Sequence, residues 1–225
     1  MLLPSTGNSA KQCHVNDAQV WMRMNRMTKI ASFAMMMLLA LGVSASAAEK
    51  LSLDQISGYL NDMTTARGEF TQINADQTIS TGTIYIKRPG RIRFEYNPPE
   101  QTLVMAGGSQ VAIFDGKSAN NPDQYPLRRT PLNLLLERNV DLAKRDMVVG
   151  YEFDGTATFV RAQDPENPQY GSIQLVFTDS PTQLRQWIIT DEIGSETTVI
   201  LGQLETDIPL GASLFSIPQE TENWN

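Results

Sequence analysis

The sequence predicts a mainly β protein with α-helices (α+β), built as a single incomplete antiparallel β-barrel, or strongly curved sheet, that encloses a hydrophobic cavity. Many short segments from Gly68 onward alternate apolar and polar residues, and turn residues such as Gly107-Gly108 separate them. Alternation with a period of two is typical of a sheet with one apolar and one solvated face. Two apolar helical segments interrupt the run. We therefore expect an N-terminal helix and a short lid helix to cover the concave face.

The first 47 residues are expected to lie outside this fold. Residues 24–47 combine a basic start, an apolar run too short to span a bilayer comfortably, and the small residues Ala45-Ser46-Ala47. This pattern is typical of a cleaved secretory signal peptide. Residues 1–23 precede it and are interpreted as a non-native N-terminal extension. Residues 48–225 then form a single domain.

The composition of residues 48–225 excludes several kinds of active site. The chain has one cysteine and one histidine, Cys13 and His14, and both precede the signal peptide. The remaining chain therefore has no Ser-His-Asp or Cys-His nucleophile system and no thiolate or imidazole metal ligand. The sequence predicts no catalytic residue, no metal site and no cofactor.

The charge excludes one class of partner. Acidic residues outnumber Lys and Arg by 25 to 18, for a formal net charge of −7. Loss of residues 1–47 removes four basic residues and one acidic residue, so the remaining chain is more negative still. We expect no nucleic-acid partner, because the phosphate backbone favours basic surfaces. The negative charge is interpreted as a solubility feature.

Residues 51–64 are predicted to form the first helix. Ser52 and Gln55 make a capping-box pair at its start. Apolar residues from Leu53 to Met63 recur at helical spacing and form one stripe. This stripe is expected to pack on the sheet.

Residues 83–96 are predicted to form a hairpin of two strands. Their shared apolar face consists of Ile84, Ile86, Ile92, Phe94 and Tyr96. The connection Arg88-Pro89-Gly90-Arg91 has the proline and glycine of a type II turn. Such a turn splays a two-residue hairpin, so we expect a longer or bulged connection. The apolar face is expected to line the cavity, with Arg88 at its rim.

Other strands are predicted wherever the alternation recurs between turn signals. With the two hairpin arms they are Gly68–Ile73, Ile79–Lys87, Arg91–Tyr96, Thr102–Ala106, Gln110–Asp115, Met147–Phe153, Thr156–Ala162, Ser172–Thr178, Leu184–Asp191 and Thr197–Glu205. Residues 120–125 are expected to form a loop or irregular edge. Residues 214–217 form a short apolar piece, and Pro218 is expected to stop it.

Residues 130–138 break the strand pattern and predict a short helix. Thr130 is the expected N-cap and Pro131 the first helical residue. One face of this helix holds Leu132, Leu135 and Leu136. A second helical turn is expected over residues 141–145. The segment is more apolar than a surface connection, so it is either a core plug in the open sheet or a lid that moves.

Five motifs follow one another along the chain in a specific order. They are GEFTQ (68–72), IYIKRPGRIRFEY (84–96), FDG (114–116), TPLNLLLERN (130–139) and LFSIP (214–218). In this order they resemble the outer-membrane lipoprotein carrier proteins, the LolA family, over residues 51–218. Each motif alone is weak, and the order of all five is specific.

The resemblance implies an incomplete antiparallel barrel whose hydrophobic cavity is covered by helices, and a carrier that is not an enzyme. Family members are periplasmic chaperones that take lipoproteins by their acyl chains from an inner-membrane lipoprotein-releasing ABC transporter. They deliver this cargo to an outer-membrane receptor or to the outer membrane itself. The resemblance therefore implies a lipoprotein-carrier domain in the periplasm of a Gram-negative cell, and we expect a monomer.

The resemblance also implies site residues. Arg88 matches the arginine of the family's K-R-P motif, which is described as bonding to lid-helix carbonyls in the closed, empty form, here within Leu132–Leu136. From the residues alone, Arg88 would be a solvated turn residue. The implied lid-gating residues are Arg88, Leu132, Leu135 and Leu136. The implied acyl-chain cavity residues are Phe70, Ile84, Ile86, Ile92 and Phe94.

Two other functions remain open at this point. One is a periplasmic regulatory protein that senses lipoproteins with the same scaffold and signals through a partner. The other is a periplasmic hydrolase that uses two carboxylates. Its candidate residues are Asp115, Asp154, Asp164, Glu166 and Asp191, and all five occur in turn-like contexts where solvated acids are ordinary.

Overall fold

A computed structural model describes residues 48–117, 121–143 and 146–224 of the chain. These residues fall in one compact unit that runs from Ala47 to Asn225. The predicted extension (1–23) and signal peptide (24–47) lie outside the described residues.

One antiparallel sheet of twelve strands forms the body of the described residues. Its strands are β1 (Thr65–Ile73), β2 (Ile79–Lys87), β3 (Ile92–Tyr96), β4 (Thr102–Gly107), β5 (Gln110–Asp115), β6 (Asp123–Pro126), β7 (Val148–Phe153), β8 (Thr158–Gln163), β9 (Ser172–Asp179), β10 (Thr182–Thr190), β11 (Glu196–Leu201) and β12 (Glu205–Thr206). Their order is β6-β5-β4-β3-β2-β1-β11-β10-β9-β8-β7, and the short β12 pairs with β1. In this order β6 and β7 stand at opposite edges, so the sheet is curled but not closed. The predicted incomplete antiparallel barrel is confirmed.

Three α-helices accompany the sheet in the described residues: α1 (Leu53–Asp62), α2 (Leu132–Leu136) and α3 (Ile217–Trp224). The predicted capping box of α1 is present, with the Ser52 hydroxyl accepting from the Gln55 N–H at 3.2 Å and Gln55 Oε1 accepting from the Ser52 N–H at 2.8 Å. The apolar stripe of α1 is buried, since Ile56 and Leu60 are both 0% exposed. This stripe joins the main hydrophobic cluster on the concave face of the sheet.

The hairpin of β2 and β3 has the register that the alternation predicts. Ile84 lies opposite Phe94, and Ile86 lies opposite Ile92. The Lys87 N–H donates to the Arg91 carbonyl at 2.9 Å, which leaves three residues in the connection. The expectation of a connection longer than two residues is therefore confirmed. Gly90 has φ of +71°, a conformation that glycine adopts without strain.

The C-terminal segment differs from its prediction. Pro218 does not stop the apolar piece at residues 214–217, because it lies in the first turn of α3, where a helix needs no N–H from it. This helix places Ile217 and Trp224 against the outer face of β4 and β5, in a second apolar cluster whose sheet members are Leu103, Met105, Ala112 and Phe114. The convex face is therefore covered here, although the alternation predicted a solvated face.

The packing of α3 on the convex face leaves Arg93 buried. It lies on the outer face of β3 and is only 9% exposed. Its guanidinium is paired at 2.7 Å with Glu95 on its own strand and at 2.7 Å with Glu220 of α3. The Leu214 carbonyl accepts a further bond from Arg93 Nη1 at 3.3 Å. A buried arginine requires such partners, so the contacts attach α3 to the sheet.

Candidate functional site

An apolar cavity of about 520 Å³ lies between the concave face of the sheet and the start of the α2 segment. Its sheet wall is formed mainly by Phe94, Val104, Val111, Trp187, Ile189 and Val199. Residues 129–132 cover it from the side of α2, and Tyr125, Tyr170, Asp191 and Glu192 stand around its rim. Two sequence-predicted site residues, Phe94 and Leu132, line this open space.

The other predicted cavity residues lie deeper and are packed. Phe70, Ile84, Ile86 and Ile92 are between 0% and 2% exposed. They belong to one buried cluster that also contains Phe94 and three leucines that the sequence predicts as lid residues, Leu132, Leu135 and Leu136. In this closed arrangement the deep part of the hollow is therefore filled by the protein's own side chains.

The α2 helix is shorter than predicted and begins differently. Its N-cap is Pro131, and the Thr130 hydroxyl donates to the Leu127 carbonyl at 2.8 Å, so the prediction of Thr130 as N-cap is wrong. Leu132, Leu135 and Leu136 are buried and Leu134 is half-buried, as the spacing predicts. Residues 141–143 form a turn where a second helical turn was expected, and residues 144–145 lie outside the described residues.

The β2–β3 connection holds the C-terminal end of α2 through two donors. Arg88 Nη2 donates to the Glu137 carbonyl at 2.5 Å, and the Gly90 N–H donates to the Leu136 carbonyl at 2.9 Å. The last carbonyls of a helix have no partner within it, so these bonds satisfy groups that would otherwise need water. The acceptor of the guanidinium bond, the Glu137 carbonyl, lies one residue beyond the Leu132–Leu136 range that the resemblance implies.

The Arg88 side chain is unusually buried for a residue in a hairpin connection, at 8% exposure. Burial lowers the pKa of Arg88, and the charge of Glu137 opposes that shift. Its Nε atom is buried without a hydrogen-bond partner. The solvated turn arginine that the residues alone would suggest is therefore not what the structure contains.

A second set of contacts attaches the segment after α2 to the α1 helix. Asn61 Nδ2 donates to the Val140 carbonyl at 2.8 Å, and Asn61 Oδ1 accepts from the Val140 N–H at 2.9 Å. Asn61 Oδ1 also receives a longer bond of 3.4 Å from Arg88 Nη2. One turn earlier, the Ser57 hydroxyl accepts from the Leu142 N–H at 3.0 Å. Sequence reasoning missed both residues, although they are polar side chains four residues apart beside an apolar stripe.

Trp187 is the largest side chain that sequence reasoning missed. It is 0% exposed and meets the Phe94 ring edge to face, with ring centroids 6.3 Å apart. The pairing of β10 with β9 shifts register between Leu184 and Gln186. Because of this bulge, Leu184 and Trp187 are both buried on the concave side although they are three residues apart.

Two polar residues of the cavity wall are bonded to each other. The Tyr96 hydroxyl donates to Gln72 Oε1 at 2.7 Å. Burial raises the pKa of Tyr96 to about 12, so the phenol is neutral at physiological pH. The wall that Phe94, Tyr96 and Trp187 form is therefore uncharged.

Four of the five carboxylates considered for hydrolysis, all of them Asp, act as turn acceptors. Asp154 Oδ1 accepts from the N–H groups of Thr156 and Ala157, both at 2.8 Å, and these bonds lower the pKa of Asp154. Asp115, Asp164 and Asp191 accept from backbone N–H groups two residues further on, at 2.9, 2.8 and 3.0 Å. Such bonds are the ordinary role of Asp in turns.

In residues 48–117, 121–143 and 146–224, no three or more His, Cys, Asp or Glu side chains are grouped as a metal site would need. Over the same part of the chain, every helix is too short or too polar to cross a bilayer.

The curled sheet, its apolar cavity and the short helix over it define the class of protein: an α+β fold with an internal apolar site under a lid-like segment. The particular family follows from the sequence. The family model described as "Outer membrane lipoprotein carrier protein LolA" matches residues 61–218. The match spans more than half of the chain, and the chain belongs to this family, as its motifs predicted.

Curated relatives agree with this assignment at low identity. An outer-membrane lipoprotein carrier protein of Dechloromonas aromatica is 28% identical over 206 residues, covering 86% of this chain and 94% of its own length. One of Pseudomonas paraeruginosa is 24% identical over 189 residues, covering 79% of this chain and 89% of its own length.

Solved structures are similar to this chain at lower sequence identity. An outer membrane lipoprotein-sorting protein domain from Vibrio parahaemolyticus has a TM-score of 0.45 at 10% identity, covering 76% of this chain and 98% of that one. A LolA superfamily protein from Nitrosomonas europaea has a TM-score of 0.41 at 10% identity, covering 74% of this chain and 98% of that one.

Proposed function

We propose that this protein is a periplasmic carrier that binds the acyl chains of lipoproteins. It receives them from the inner membrane, where an ABC transporter releases them, and delivers them to the outer membrane, through a receptor there or directly. Membership of the family and the names of the relatives support the lipoprotein carrier role and the periplasmic location. We further propose that residues 24–47 are the signal peptide for export and that the carrier is a monomer.

One observation carries the proposal: the apolar hollow is closed by leucines of a short segment that polar contacts hold in place. The proposed lid-gating residues are Arg88, Leu132, Leu135 and Leu136. The proposed acyl-chain residues are Phe70, Ile84, Ile86, Ile92 and Phe94. Opening of the lid would join this deep set to the existing cavity and make one larger apolar site.

The volume of the cavity explains why the lid has to open. About 520 Å³ is the size of a pocket for one drug-sized ligand. Three acyl chains need more room than that, so the leucines must leave the deep part of the hollow before the cargo is fully bound. Each methylene that then leaves water contributes about 0.8 kcal/mol.

The closed lid also makes the cargo releasable. A binding-competent state that is populated only in part weakens the apparent affinity by that fraction. Contacts that stabilise the closed state, such as the Arg88 bond to the Glu137 carbonyl, therefore lower the affinity for cargo. A carrier between two membranes needs this property, because it must hold the chains less tightly than their destination does.

The other two functions receive no support from the site. The family's carrier proteins are non-enzymatic, and the Asp carboxylates considered for hydrolysis bond to the backbone of their own turns. No contact in the described residues favours a regulatory sensor over a carrier.

The test is transfer of a lipoprotein into solution. The purified protein is incubated with inner-membrane vesicles and ATP, and the supernatant is examined for a soluble complex with a lipoprotein. We expect a complex with the lipidated form, and none with the same lipoprotein lacking its acyl chains or in the absence of ATP. Equal recovery of the lipidated and unlipidated forms would contradict an acyl-chain site.

A further inference from the structure

The indole of Trp187 has a hydrogen-bond donor that nothing in the described residues uses. The side chain is 0% exposed, and its Nε1 atom is buried without a partner. Trp187 also lines the apolar cavity. Its donor is therefore an unsatisfied polar group on a side chain that borders the proposed acyl-chain site, and it is covered while the leucines stay in place.

An unsatisfied buried donor is unfavourable and needs a reason. Leaving such a group without a partner costs about 1–3 kcal/mol. Most buried polar side-chain atoms in folded proteins have a partner, so an exception points to a role. A phenylalanine would provide an aromatic wall against Phe94 without this cost. The group that needs a role is therefore the indole N–H and not the aromatic ring.

Three other side-chain donors that line the cavity are already engaged. The Tyr96 hydroxyl donates to Gln72 Oε1 at 2.7 Å, and Gln72 Nε2 donates to Asn74 Oδ1 at 2.6 Å. The Thr130 hydroxyl donates to the Leu127 carbonyl at 2.8 Å. A ligand acceptor that reaches this wall would find the Trp187 N–H available without breaking a bond in the protein.

The position of Trp187 fits an acceptor at the head of an acyl chain. Trp187 lies three residues before Thr190, the last residue of β10, which pairs with Ser172 at the rim end of the sheet. Three residues of strand span about 10 Å. A chain whose carbonyl lies about 10 Å inside the rim would thus place that carbonyl near the indole, with its tail toward Phe70 and Ile84.

We propose that the Nε1–H of Trp187 donates a hydrogen bond to the carbonyl of an acyl ester when the lid leucines withdraw. This inference rests on the proposed function, since it assumes an acyl chain in the cavity. The hydrocarbon part of the ligand makes no directional contact, so this single bond fixes how far the chain that carries the bonded carbonyl enters. It also offsets the cost of taking a carbonyl out of water.

The test compares ligands that differ only in the carbonyl. One probe is a synthetic triacylated lipopeptide whose glyceryl chains are joined by esters, and its analogue has the same chains joined by ethers. Dissociation constants are measured for the wild-type protein and for Trp187→Phe. We expect the wild type to prefer the ester by about tenfold, equivalent to about 1.4 kcal/mol, and the variant to show a ratio near one.

The ratio is informative because the smaller ring of Trp187→Phe affects both probes alike. Trp224→Phe is the matched control, since Trp224 packs on Phe114 in the second cluster, on the convex face. We expect its ester-to-ether ratio to equal that of the wild type.

A measurement on the wild-type protein does not depend on whether Trp187→Phe folds. The indole ¹H–¹⁵N signals are assigned to Trp187 and Trp224 in the wild-type chain, and each probe is added in turn. We expect the Trp187 proton to move downfield with the ester and not with the ether, and the Trp224 signal to stay in place.

The outcomes separate the inference from the proposed function. If neither probe binds, the acyl-chain site itself is wrong. If both bind with equal affinity to the wild type and the Trp187 signal responds alike, the carbonyl contact is wrong and the carrier function stands. A diacyl phospholipid, ester against ether, identifies the source of the carbonyl. The same preference there supports recognition of acyl esters in general, and a preference confined to the lipopeptide supports recognition of lipoproteins.

Discussion

Replacement of Arg88 by leucine tests the proposed gate most directly. The change removes the Nη2 bond to the Glu137 carbonyl and the longer bond to Asn61. It leaves the Gly90 N–H bond to the Leu136 carbonyl in place, because that bond belongs to the backbone. We expect Arg88→Leu to bind lipidated cargo more tightly and to release it more slowly than the wild type.

The magnitude follows from the quality of the contacts that are lost. A hydrogen bond from a charged donor contributes about 1.5–3 kcal/mol. The lower end applies here, because the Arg88 Nε atom has no partner and burial already disfavours the charge. A loss of about 1.4 kcal/mol from the closed state shifts the lid equilibrium about tenfold toward the open state. While the open state remains a minor population, the apparent affinity for cargo rises by the same factor.

The assay measures dissociation of a fluorescent triacylated lipopeptide from the purified protein, with transfer to acceptor vesicles as the second readout. Arg91→Leu is the matched control, since Arg91 lies in the same connection and its Nε bonds only to the Lys87 carbonyl of that hairpin at 3.2 Å. We expect release from Arg91→Leu to match the wild type. Normal release from Arg88→Leu, or slow release from both variants, would refute the gating role.

Three further predictions concern other contacts. Asn61→Ala should accelerate hydrogen exchange at the Val140 amide, which loses its acceptor, and unchanged exchange measured by NMR would contradict the anchoring role of α1. Glu220→Gln should lower the free energy of urea unfolding by about 1–3 kcal/mol, and by more than Glu95→Gln, because Glu220 is the more buried partner at 18% against 40% exposure. Equal losses would disprove the dependence on burial. Burial raises the pKa of Tyr96 from its ordinary 10.0 to about 12 in the folded state, so Tyr96 contributes its full stabilisation below pH 10. The free energy of unfolding then falls by about 2 kcal/mol as the pH rises to about 12. Tyr96→Phe should abolish this loss and the last phenolate step at 295 nm, and a titration without such a late step in the wild type would refute it.

Sequence reasoning succeeded where the information is local. The strands Ile79–Lys87 and Gln110–Asp115 begin and end where the alternation predicts. The facing pairs of the hairpin, such as Ile84 with Phe94, follow from alternation and turn chemistry within fourteen residues. The capping box of α1 is equally local, because both of its bonds join Ser52 and Gln55. Each of these features is determined by neighbours along the chain.

The features that were missed depend on distant parts of the chain. Arg93 alternates with the apolar residues of the hairpin, and this pattern predicts a solvated side chain, but its partner Glu220 comes from 127 residues away. Pro218 predicts a stop and not helix α3, and only the packing of the helix on Phe114 and Met105 shows why a short helix forms there. Trp187 was missed because the bulge next to it breaks strict alternation. None of these has a signal in a short window of sequence.

The predicted cavity residues illustrate a further limit, and it bears on how a carrier can release its cargo. Alternation correctly brought Ile84, Ile86 and Ile92 to the concave face. The apolar character of residues 130–138 predicted a plug or a lid over it, but not that Leu132, Leu135 and Leu136 share one buried cluster with these isoleucines. Full exposure of a leucine costs about 1.5–3 kcal/mol, so withdrawal of three of them costs at most about 5–9 kcal/mol. On the proposed function, that sum offsets the burial of about six to eleven methylenes of the cargo. Withdrawal of the leucines therefore makes the net free energy of loading less favourable by that amount, and the cargo is easier to release than it would be from a permanently open cavity.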